Sequence, residues 1–340
     1  MKRIALLLLC ILLLSGCSAP NVSAQKQYTA TFLSLFDTVT TIVGKADSEE
    51  AFQAKVQLIR DELDRYHRLF DIYNEYDGIS NLKTVNDKAA VAPVYVDREI
   101  IDLLTDCITY YQATNGRFNP AMGCVLRLWH EAREDGRDDP QNAYLPDSRA
   151  LQEAAQHMDP MNIVIDRERS TVFFTDPALK LDVGAIAKGW AVQRVCESTP
   201  EGLLISVGGN VCATGPKDSN ETPWAVGIQN PDGSNNYLHV LNIKTGSVVT
   251  SGSYQRAYAV DGKLYHHIID PSTLYPSQHW VSVTVVSEDS GLADVLSTSL
   301  FLLNQEDGQA LLNQFSAQAM WVDSNGNKYY SPGFQDHIRN

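Results

Sequence analysis

Positively charged residues are scarce in this sequence of 340 residues, which has 27 Lys and Arg against 41 Asp and Glu. The formal net charge is -14, and a surface this acidic repels the phosphate backbone of DNA and RNA. We therefore expect no nucleic-acid partner. A ligand that carries phosphate would need a metal ion or locally placed donors to overcome the overall field.

The sequence also lacks the common signatures of nucleotide-binding and hydrolytic enzymes. It contains no G-x-G-x-x-G after a strand and no G-x-x-x-x-G-K-[ST] loop. His130-Glu131 lacks the second histidine of an H-E-x-x-H zinc site, and no G-x-S-x-G nucleophile elbow occurs. An enzyme with this sequence must therefore have an active site that is built on none of these common motifs.

The N-terminus is typical of a bacterial lipoprotein. A cationic start, Met1–Arg3, precedes the apolar run Ile4–Leu14, which is too short to span a bilayer as a mature helix and is typical of a secretory signal. The run ends in Leu14-Ser-Gly-Cys17, which resembles a lipobox, where cleavage precedes a lipidated cysteine. An ordinary signal peptide with a chance cysteine is the alternative. We predict a signal peptide over residues 1–16, then lipidated Cys17 and a flexible tether over residues 17–27, and an extracytoplasmic protein anchored to the bacterial membrane.

Cysteines are few, and no pair has the C-x-x-C spacing typical of zinc sites. Outside the predicted signal and the lipidation site the sequence has Cys107, Cys124, Cys196 and Cys212. In an oxidising compartment these could form one or two disulfides, and buried free thiols are the alternative. The sequence leaves both open.

Helices and strands are mixed without strict β-α-β alternation, which favours an α+β fold over a doubly wound sheet. Apolar spacing and end signals predict helices over residues 48–69, 97–114, 148–158, 185–196 and 292–304. Other patterns predict strands over 28–43, 203–207 and 317–330, a hairpin over 162–174, short strands over 212–286 and a loop over 133–146. We expect mixed, largely antiparallel sheets with packed helices in one domain over residues 28–335.

Two glycine-containing segments could hold a polar ligand. Leu181–Gly189 combines Asp182, a Gly-Ala turn and Lys188 at the start of a predicted helix, whose free N–H groups favour phosphate. Ser206–Asn210 is a strand that runs into paired glycines, which let a backbone approach a ligand closely. An ordinary turn explains either segment by itself at least as well.

Two further segments contain residue types used in catalysis. His267 follows His266 and precedes Asp270 by three residues, an arrangement that could supply a general base and its orienting partner. Asp294 and Thr298 are four residues apart on a predicted helix, so they share one face near its N-terminus. Two hard oxygen ligands on one face suit Mg²⁺. A histidine satisfied within the core, and an aspartate that only favours the helix dipole, are the alternatives.

Taken together, these segments resemble one family, the bacterial FAD:protein FMN transferases of the ApbE type. The resemblance spans Phe36 to Leu303. Short motifs in the same order carry it: Phe36-Asp-Thr38, Phe70-Asp-Ile-Tyr73, Asn115-Gly-Arg-Phe-Asn-Pro120, Leu181-Asp-Val-Gly-Ala-Ile-Ala-Lys-Gly189, Val207-Gly-Gly209, Thr250-Ser-Gly252, His267-Ile-Ile-Asp-Pro271 and Ala293-Asp294 with Thr298. Each motif is weak by itself, but their combination in register is highly specific.

The resemblance implies an ApbE-like fold and the transfer of FMN from FAD to a hydroxyl of another protein, usually a threonine, with release of AMP. FAD is then a substrate and Mg²⁺ a cofactor, and the acceptor is expected to be a membrane or extracytoplasmic flavoprotein subunit. The resemblance implies that FAD lies near Phe36, Tyr73, Phe118, Asn119, Asp182, Lys188 and Ile268.

The same resemblance implies the catalytic and metal-binding residues. The metal would be bound by the Ala185 carbonyl, Asp294 and Thr298, and His267 would help to deprotonate the acceptor hydroxyl. Two other functions remain open on the residues alone. One is an Mg²⁺-dependent FAD pyrophosphatase that yields FMN and AMP, and the other is a lipid-anchored protein that only binds flavin.

Three positions depart from the family pattern. Asn119 stands where an acidic residue is usual, which puts one flavin contact in doubt. Phe36 replaces a methionine and is still apolar. Leu274 replaces a glycine, so the turn that contains it is expected to be altered.

Overall fold

The computed structural model describes residues 25–234, 236–254 and 256–339. The predicted signal peptide over 1–16, the lipidation site Cys17 and most of the tether lie outside the described residues. Lys26 and Gln27, which we predicted as tether, instead begin the first strand. No helix in the described ranges is long and apolar enough to cross a bilayer.

The strands are mostly short. They are β1 (Lys26–Leu35), β2 (Thr38–Ala46), β3 (Val94–Tyr95), β4 (Ile163–Asp166), β5 (Thr171–Phe174), β6 (Leu203–Val207), β7 (Asn210–Ala213), β8 (Trp224–Gln229), β9 (Tyr237–Ile243), β10 (Gly246–Gly252), β11 (Ala257–Val260), β12 (Lys263–His266), β13 (Ser282–Ser287), β14 (Ala317–Val322) and β15 (Lys328–Tyr330). The main sheet has the antiparallel order β1-β2-β6-β7-β10-β13-β14-β15, so it contains strands from both ends of the described chain. The other sheets are β3-β5-β4, β8-β9 and β11-β12.

The helices differ in how much of their surface they bury. They are α1 (Glu49–Phe70), α2 (Leu82–Lys88), α3 (Arg98–Ala113), α4 (Gly123–Asp138), α5 (Ser148–Ala154), α6 (Ala187–Ser198), α7 (Ser290–Phe301) and α8 (Gln305–Leu312). The Ser48 side chain caps α1 by accepting the Ala51 N–H, and Phe52, Val56 and Ile59 form part of its buried stripe. In contrast, α7 is buried nearly all round and packs on α6, β10 and β13. This central position makes α7 the element on which a buried site can be built.

The predicted α+β fold with mixed, largely antiparallel sheets is confirmed, but two local predictions are wrong. The strand predicted over 28–43 is a hairpin, because the chain reverses at Phe36 and Asp37, both in the left-handed region with φ of 51° and 53°. The pair Phe-Asp is not one of the dipeptides typical of a two-residue hairpin turn. The alternation of apolar and polar residues was therefore taken to continue through it as one strand. The loop predicted over 133–146 begins too early, because α4 continues to Asp138.

Most of the remaining predictions of helices and strands are confirmed. The structure also shows whether the cysteines form disulfides. The hairpin at 162–174 and the helices near 48–69, 97–114, 185–196 and 292–304 are present, with ends shifted by a few residues. Three helices, α2, α4 and α8, were not predicted, and the helix predicted over 148–158 is shorter, since α5 ends at Ala154. All four cysteines of the described chain are free thiols: Cys107, Cys124, Cys196 and Cys212.

The packing of α6 against α7 depends on one residue without a side chain. A Cβ at Gly189 in α6 would lie 2.3 Å from the Ser290 carbonyl oxygen and 2.6 Å from the Asp294 Cβ, both in α7. Neither atom is the end of a flexible side chain. Any larger residue at position 189 must therefore separate the two helices.

We expect Gly189→Ala to lower the free energy of unfolding by about 1–3 kcal/mol, because the added methyl group overpacks this contact. Gly308 in α8 is the matched control, since a Cβ there would lie 3.5 Å from its nearest neighbours in the Leu300 and Trp321 side chains, an ordinary contact. Gly308→Ala should raise the stability by up to about 1 kcal/mol through helix propensity. Urea unfolding of both variants checks this, and two similar values would contradict the packing argument.

Candidate active site

A cavity of about 520 Å³ lies where β7, β10 and the start of α6 meet α4 and α7. Its volume is in the range of small-molecule sites. The predicted site residues that line it are Tyr73, Phe118, Asn119, Asp182, Ala185, Lys188, His267, Ile268, Asp294 and Thr298. The fold therefore gathers residues that are more than 200 positions apart into one place.

Phe36 is the one predicted residue of this site that does not line the cavity. Its ring packs edge-on against His67 at 5.5 Å between centroids, and its N–H donates to His67 Nδ1. The next two residues, Asp37 and Thr38, line the cavity instead. A flavin contact at Phe36 stays a prediction that this geometry does not support.

Asp294 is the most constrained carboxylate of the cavity. It is 4 % exposed, and its Oδ2 accepts the Gly189 N–H and the Asn210 side-chain amide, each at 3.0 Å. Lys188 Nζ lies 3.8 Å from the same oxygen. Among the described residues Oδ1 has no hydrogen-bond partner, so one oxygen is held and the other is left for a ligand.

The Ala185 carbonyl is left open by the same contact. In a regular helix the Gly189 N–H would donate to the carbonyl four residues earlier, which is that of Ala185. The N–H turns to Asp294 Oδ2 instead. Thr298, one helical turn after Asp294, makes no hydrogen bond through Oγ1 within the described ranges.

These oxygen groups fit a hard divalent cation. A carboxylate, a carbonyl and a hydroxyl on one cavity wall are the donor types that Mg²⁺ takes, and it usually keeps several waters or phosphate oxygens as its other ligands. No cluster of three or more His, Cys, Asp or Glu that could hold a metal occurs in the part of the chain that the structure describes. The site therefore differs from a zinc site and suits Mg²⁺ shared with a phosphate-bearing ligand.

The two adjacent histidines have different roles. His266 is buried, its Nδ1 accepts the Ile268 N–H at 3.2 Å, and its Nε2 lies 2.7 Å from the Ser277 carbonyl. It is therefore a structural histidine that holds the local backbone. His267 lines the cavity, and its Nδ1 is buried without a partner in the described residues.

His267 is electrically neutral in the free protein. Burial and the nearby Arg256 guanidinium lower the pKa of His267 to about 3. A neutral imidazole can accept a proton, which is what a general base must do. His267 therefore has the right protonation state for the role that the resemblance implies.

Asp270 is not the orienting partner of His267, so that hypothesis is wrong. Its Oδ1 accepts the Ser272 N–H at 2.8 Å and the Ser272 hydroxyl at 2.6 Å, and Arg117 lies 3.6 Å away. These contacts stabilise the turn that contains Leu274. Leu274 itself has φ of 65°, in the left-handed region that a glycine would adopt easily.

One wall of the cavity is aromatic. Tyr73 is 56 % exposed and lies 5.3 Å from His130 between ring centroids. Its N–H is fixed by Asp71 Oδ1 at 2.6 Å. Trp129 completes the wall, with its indole N–H donating to the Leu274 carbonyl at 2.9 Å. An exposed ring of this kind can stack on a flat ligand.

The Asn119 side chain makes its hydrogen bonds to the backbone of the protein. Its Nδ2 donates to the Met158 carbonyl at 2.9 Å, and its Oδ1 accepts the Ala121 N–H at 2.8 Å. The amide thus fixes the loop that carries Phe118. Nearby, the Asp182 N–H donates to the Pro120 carbonyl at 2.9 Å, and Asp182 Oδ1 accepts the Gly184 N–H at 2.8 Å. Burial raises the pKa of the Asp182 carboxyl.

The structure also adds residues that sequence reasoning missed. Arg133 and Arg256 line the cavity together with Arg117 and Lys188. Asp37, Asp182 and Asp294 line it too, so the cavity has only a small excess of cationic side chains, in contrast to the net charge of -14 of the whole sequence. Asn210 contacts Asp294 directly. The only sequence signal for Asn210 was its place after the glycine pair, and Arg133 and Arg256 lay in segments read as ordinary loop or strand.

Comparison with known proteins agrees with the geometry. The sequence model of the ApbE family matches residues 36–321. The chain is 33% identical over 279 residues to the FAD:protein FMN transferase of Treponema pallidum (strain Nichols), covering 76% of this chain and 75% of that protein. It is 32% identical over 260 residues to an FAD:protein FMN transferase of Klebsiella pneumoniae (strain 342), covering 73% and 78%.

Solved structures show the same fold. An ApbE protein from Thermotoga maritima superposes with a TM-score of 0.81 at 29% identity, covering 93% of this chain and 100% of that one. The flavin transferase ApbE from Vibrio cholerae superposes with a TM-score of 0.74 at 22% identity, covering 92% and 100%, which is a likeness of fold. The chain, with its α+β architecture and its site motifs within residues 36–321, belongs to the ApbE family.

Proposed function

We propose that this ApbE-family enzyme transfers the FMN half of FAD to a threonine or serine hydroxyl of an acceptor protein through a phosphoester bond and releases AMP. The observation that carries the proposal is the meeting of two features in one cavity. Open oxygen groups at Ala185, Asp294 and Thr298 suit Mg²⁺, and a neutral buried base, His267, lines the same space. The names of the relatives support the reaction class.

The proposed reaction forms one bond and breaks one. The acceptor oxygen bonds to the phosphorus on the FMN side, and the bond from that phosphorus to the bridging oxygen breaks, so that AMP leaves with the bridging oxygen. The hydroxyl proton goes to His267, which is neutral in the ligand-free protein and so has a free ring nitrogen to receive it. Bound Mg²⁺ would supply charge neutralisation at the diphosphate.

The remaining cavity residues position and neutralise the substrate. Lys188, Arg133 and Arg256 offset the negative charge of the diphosphate and of the leaving AMP, which the acidic surface would otherwise repel. Tyr73 and His130 offer a flat surface for the flavin rings. Positioning of this kind supplies much of the catalysis in phosphoryl transfer.

The acceptor assay separates the three candidate functions. We expect the protein, given FAD, Mg²⁺ and a peptide of the Asp…Ser/Thr-Gly-Ala-Thr type, to attach FMN covalently to the peptide. Asp294→Ala should abolish this turnover, because it removes the only carboxylate among the candidate metal ligands. Mass spectrometry of the peptide and chromatography of the flavins give the readout.

Each other outcome has a definite meaning. Free FMN and AMP without modified peptide would establish the pyrophosphatase, and intact FAD would establish a binding protein. Unchanged transfer by Asp294→Ala would refute the ligand role of this carboxylate.

His267→Gln should lower kcat by about 10²–10⁴-fold, the usual contribution of a general base, while the Kd for FAD changes little. Because the pKa of His267 lies near 3, its ring should stay neutral from pH 8 to pH 5 in the ligand-free protein. An NMR titration of the histidine C–H signals, assigned with the variant, checks this. A His267 midpoint near 6.5 would contradict the depressed pKa, and equal losses of FAD binding and turnover would point to a structural histidine.

We further propose that the protein is extracytoplasmic and lipid-anchored through Cys17, as the N-terminal sequence indicates. Its acceptor would then be a membrane or extracytoplasmic redox subunit. Cys17→Ser should move the protein from the membrane fraction to the soluble or uncleaved precursor form. Unchanged membrane fractionation and unchanged mass of the mature N-terminus would contradict the anchor.

A further inference from the structure

Asn210 is a buried polar residue that has no role in the reaction proposed above. It is the first residue of β7, it is 2 % exposed, and it pairs with Val207 of β6 and Val249 of β10 in the main sheet. A buried amide is stable only when its polar atoms have partners. Its Nδ2 finds one in Asp294 Oδ2, at 3.0 Å.

We propose that Asn210 is a positioning residue for the metal-binding carboxylate of Asp294, an inference that rests on the proposed function. Asp294 Oδ2 takes two neutral donors, the Asn210 amide and the Gly189 N–H, each at 3.0 Å. The two donors come from different elements, β7 and α6, so together they fix both the rotation and the tilt of the carboxylate. Oδ1 is thereby turned to the cavity, on the wall with Ala185 and Thr298.

The chemistry of the side chain supports this role. An amide donates a hydrogen bond but carries no positive charge, so it can orient the carboxylate without competing with a bound cation. The cationic Lys188 Nζ stays 3.8 Å away, beyond direct hydrogen-bond distance. Groups that orient a metal ligand in this way commonly change metal affinity 10–100-fold when they are removed.

The glycine pair before Asn210 explains how it reaches this place. Gly208 and Gly209 have φ of 55° and 91°, both left-handed, and form the two-residue turn between β6 and β7. A Cβ at Gly208 would lie 2.6 Å from Thr38 Oγ1. The turn is therefore tight enough to begin β7 directly beside α7, which puts the Asn210 side chain against Asp294.

The test removes the donor while keeping the size of the residue. Asn210→Leu should raise the dissociation constant for Mn²⁺, an EPR-visible substitute for Mg²⁺, by about 10–100-fold. High Mg²⁺ should restore most of kcat, because the ligand itself remains, whereas Asp294→Ala should not be rescued. The KM for FAD at saturating Mg²⁺ should change less than about threefold, well below the metal effect.

Thr214→Val is the matched control at the other end of the same hairpin. Thr214 Oγ1 accepts the Leu203 N–H and donates to the Pro200 carbonyl, each at 3.0 Å, so the variant also loses side-chain hydrogen bonds of this hairpin, one part-buried and one exposed. It should bind Mn²⁺ like the unaltered protein. If Asn210→Leu does not fold, Asn210→Ser, which is too short to reach Asp294, takes its place with the same expected result.

Two outcomes would overturn the inference in distinguishable ways. A folded Asn210 variant with unaltered Mn²⁺ affinity, beside an Asp294→Ala variant that has lost Mn²⁺ binding, would overturn the positioning role and leave the metal site standing. Unaltered Mn²⁺ binding by Asp294→Ala would overturn the metal site and the proposed function with it.

Discussion

The site depends on the fixed carboxylate of Asp294. It lies on α7, a helix buried on nearly every side, and two neutral donors from α6 and β7 hold one of its oxygens. Gly189 contributes in two ways. It has no side chain, so α6 can approach α7 closely, and its N–H is one of the two donors. The same hydrogen bond leaves the Ala185 carbonyl without its helical partner. The packing of α6 on α7 therefore also sets the geometry of the candidate metal ligands. A change in this helix contact would displace the Asp294 carboxylate and the Ala185 carbonyl relative to each other.

Charge is distributed in a way that the net value does not reveal. The chain carries -14 overall, yet Lys188, Arg133 and Arg256 meet in one cavity with His267. Their positive field and the burial of the imidazole keep His267 uncharged. A cavity with a small excess of cationic side chains in an acidic protein suits a substrate that carries a diphosphate, because the favourable field is confined to the place where the substrate binds. The neutral histidine is then ready to take a proton.

Local patterns predicted most of the elements and failed where the backbone does something unusual. The amphipathic stripe of α1 and the hairpin at 162–174 follow from apolar spacing and turn residues. The reversal at Phe36 and Asp37 was missed because a bulky Phe rarely adopts positive φ and no glycine marks the turn. The role predicted for Asp270 was also wrong. Closeness to His267 in the chain suggested a pair, but the side chain turns back to Ser272.

The amino-acid order alone determined the family, the α+β class and the predicted site residues that line the cavity, but not other lining residues such as Arg133 and Arg256. It did not determine which groups hold the Asp294 carboxylate, nor how that carboxylate is oriented. Those answers depend on contacts between α6, α7 and β7, which are far apart along the chain. Only the folded chain brings the Asn210 amide, the Gly189 N–H and the carboxylate within hydrogen-bond distance.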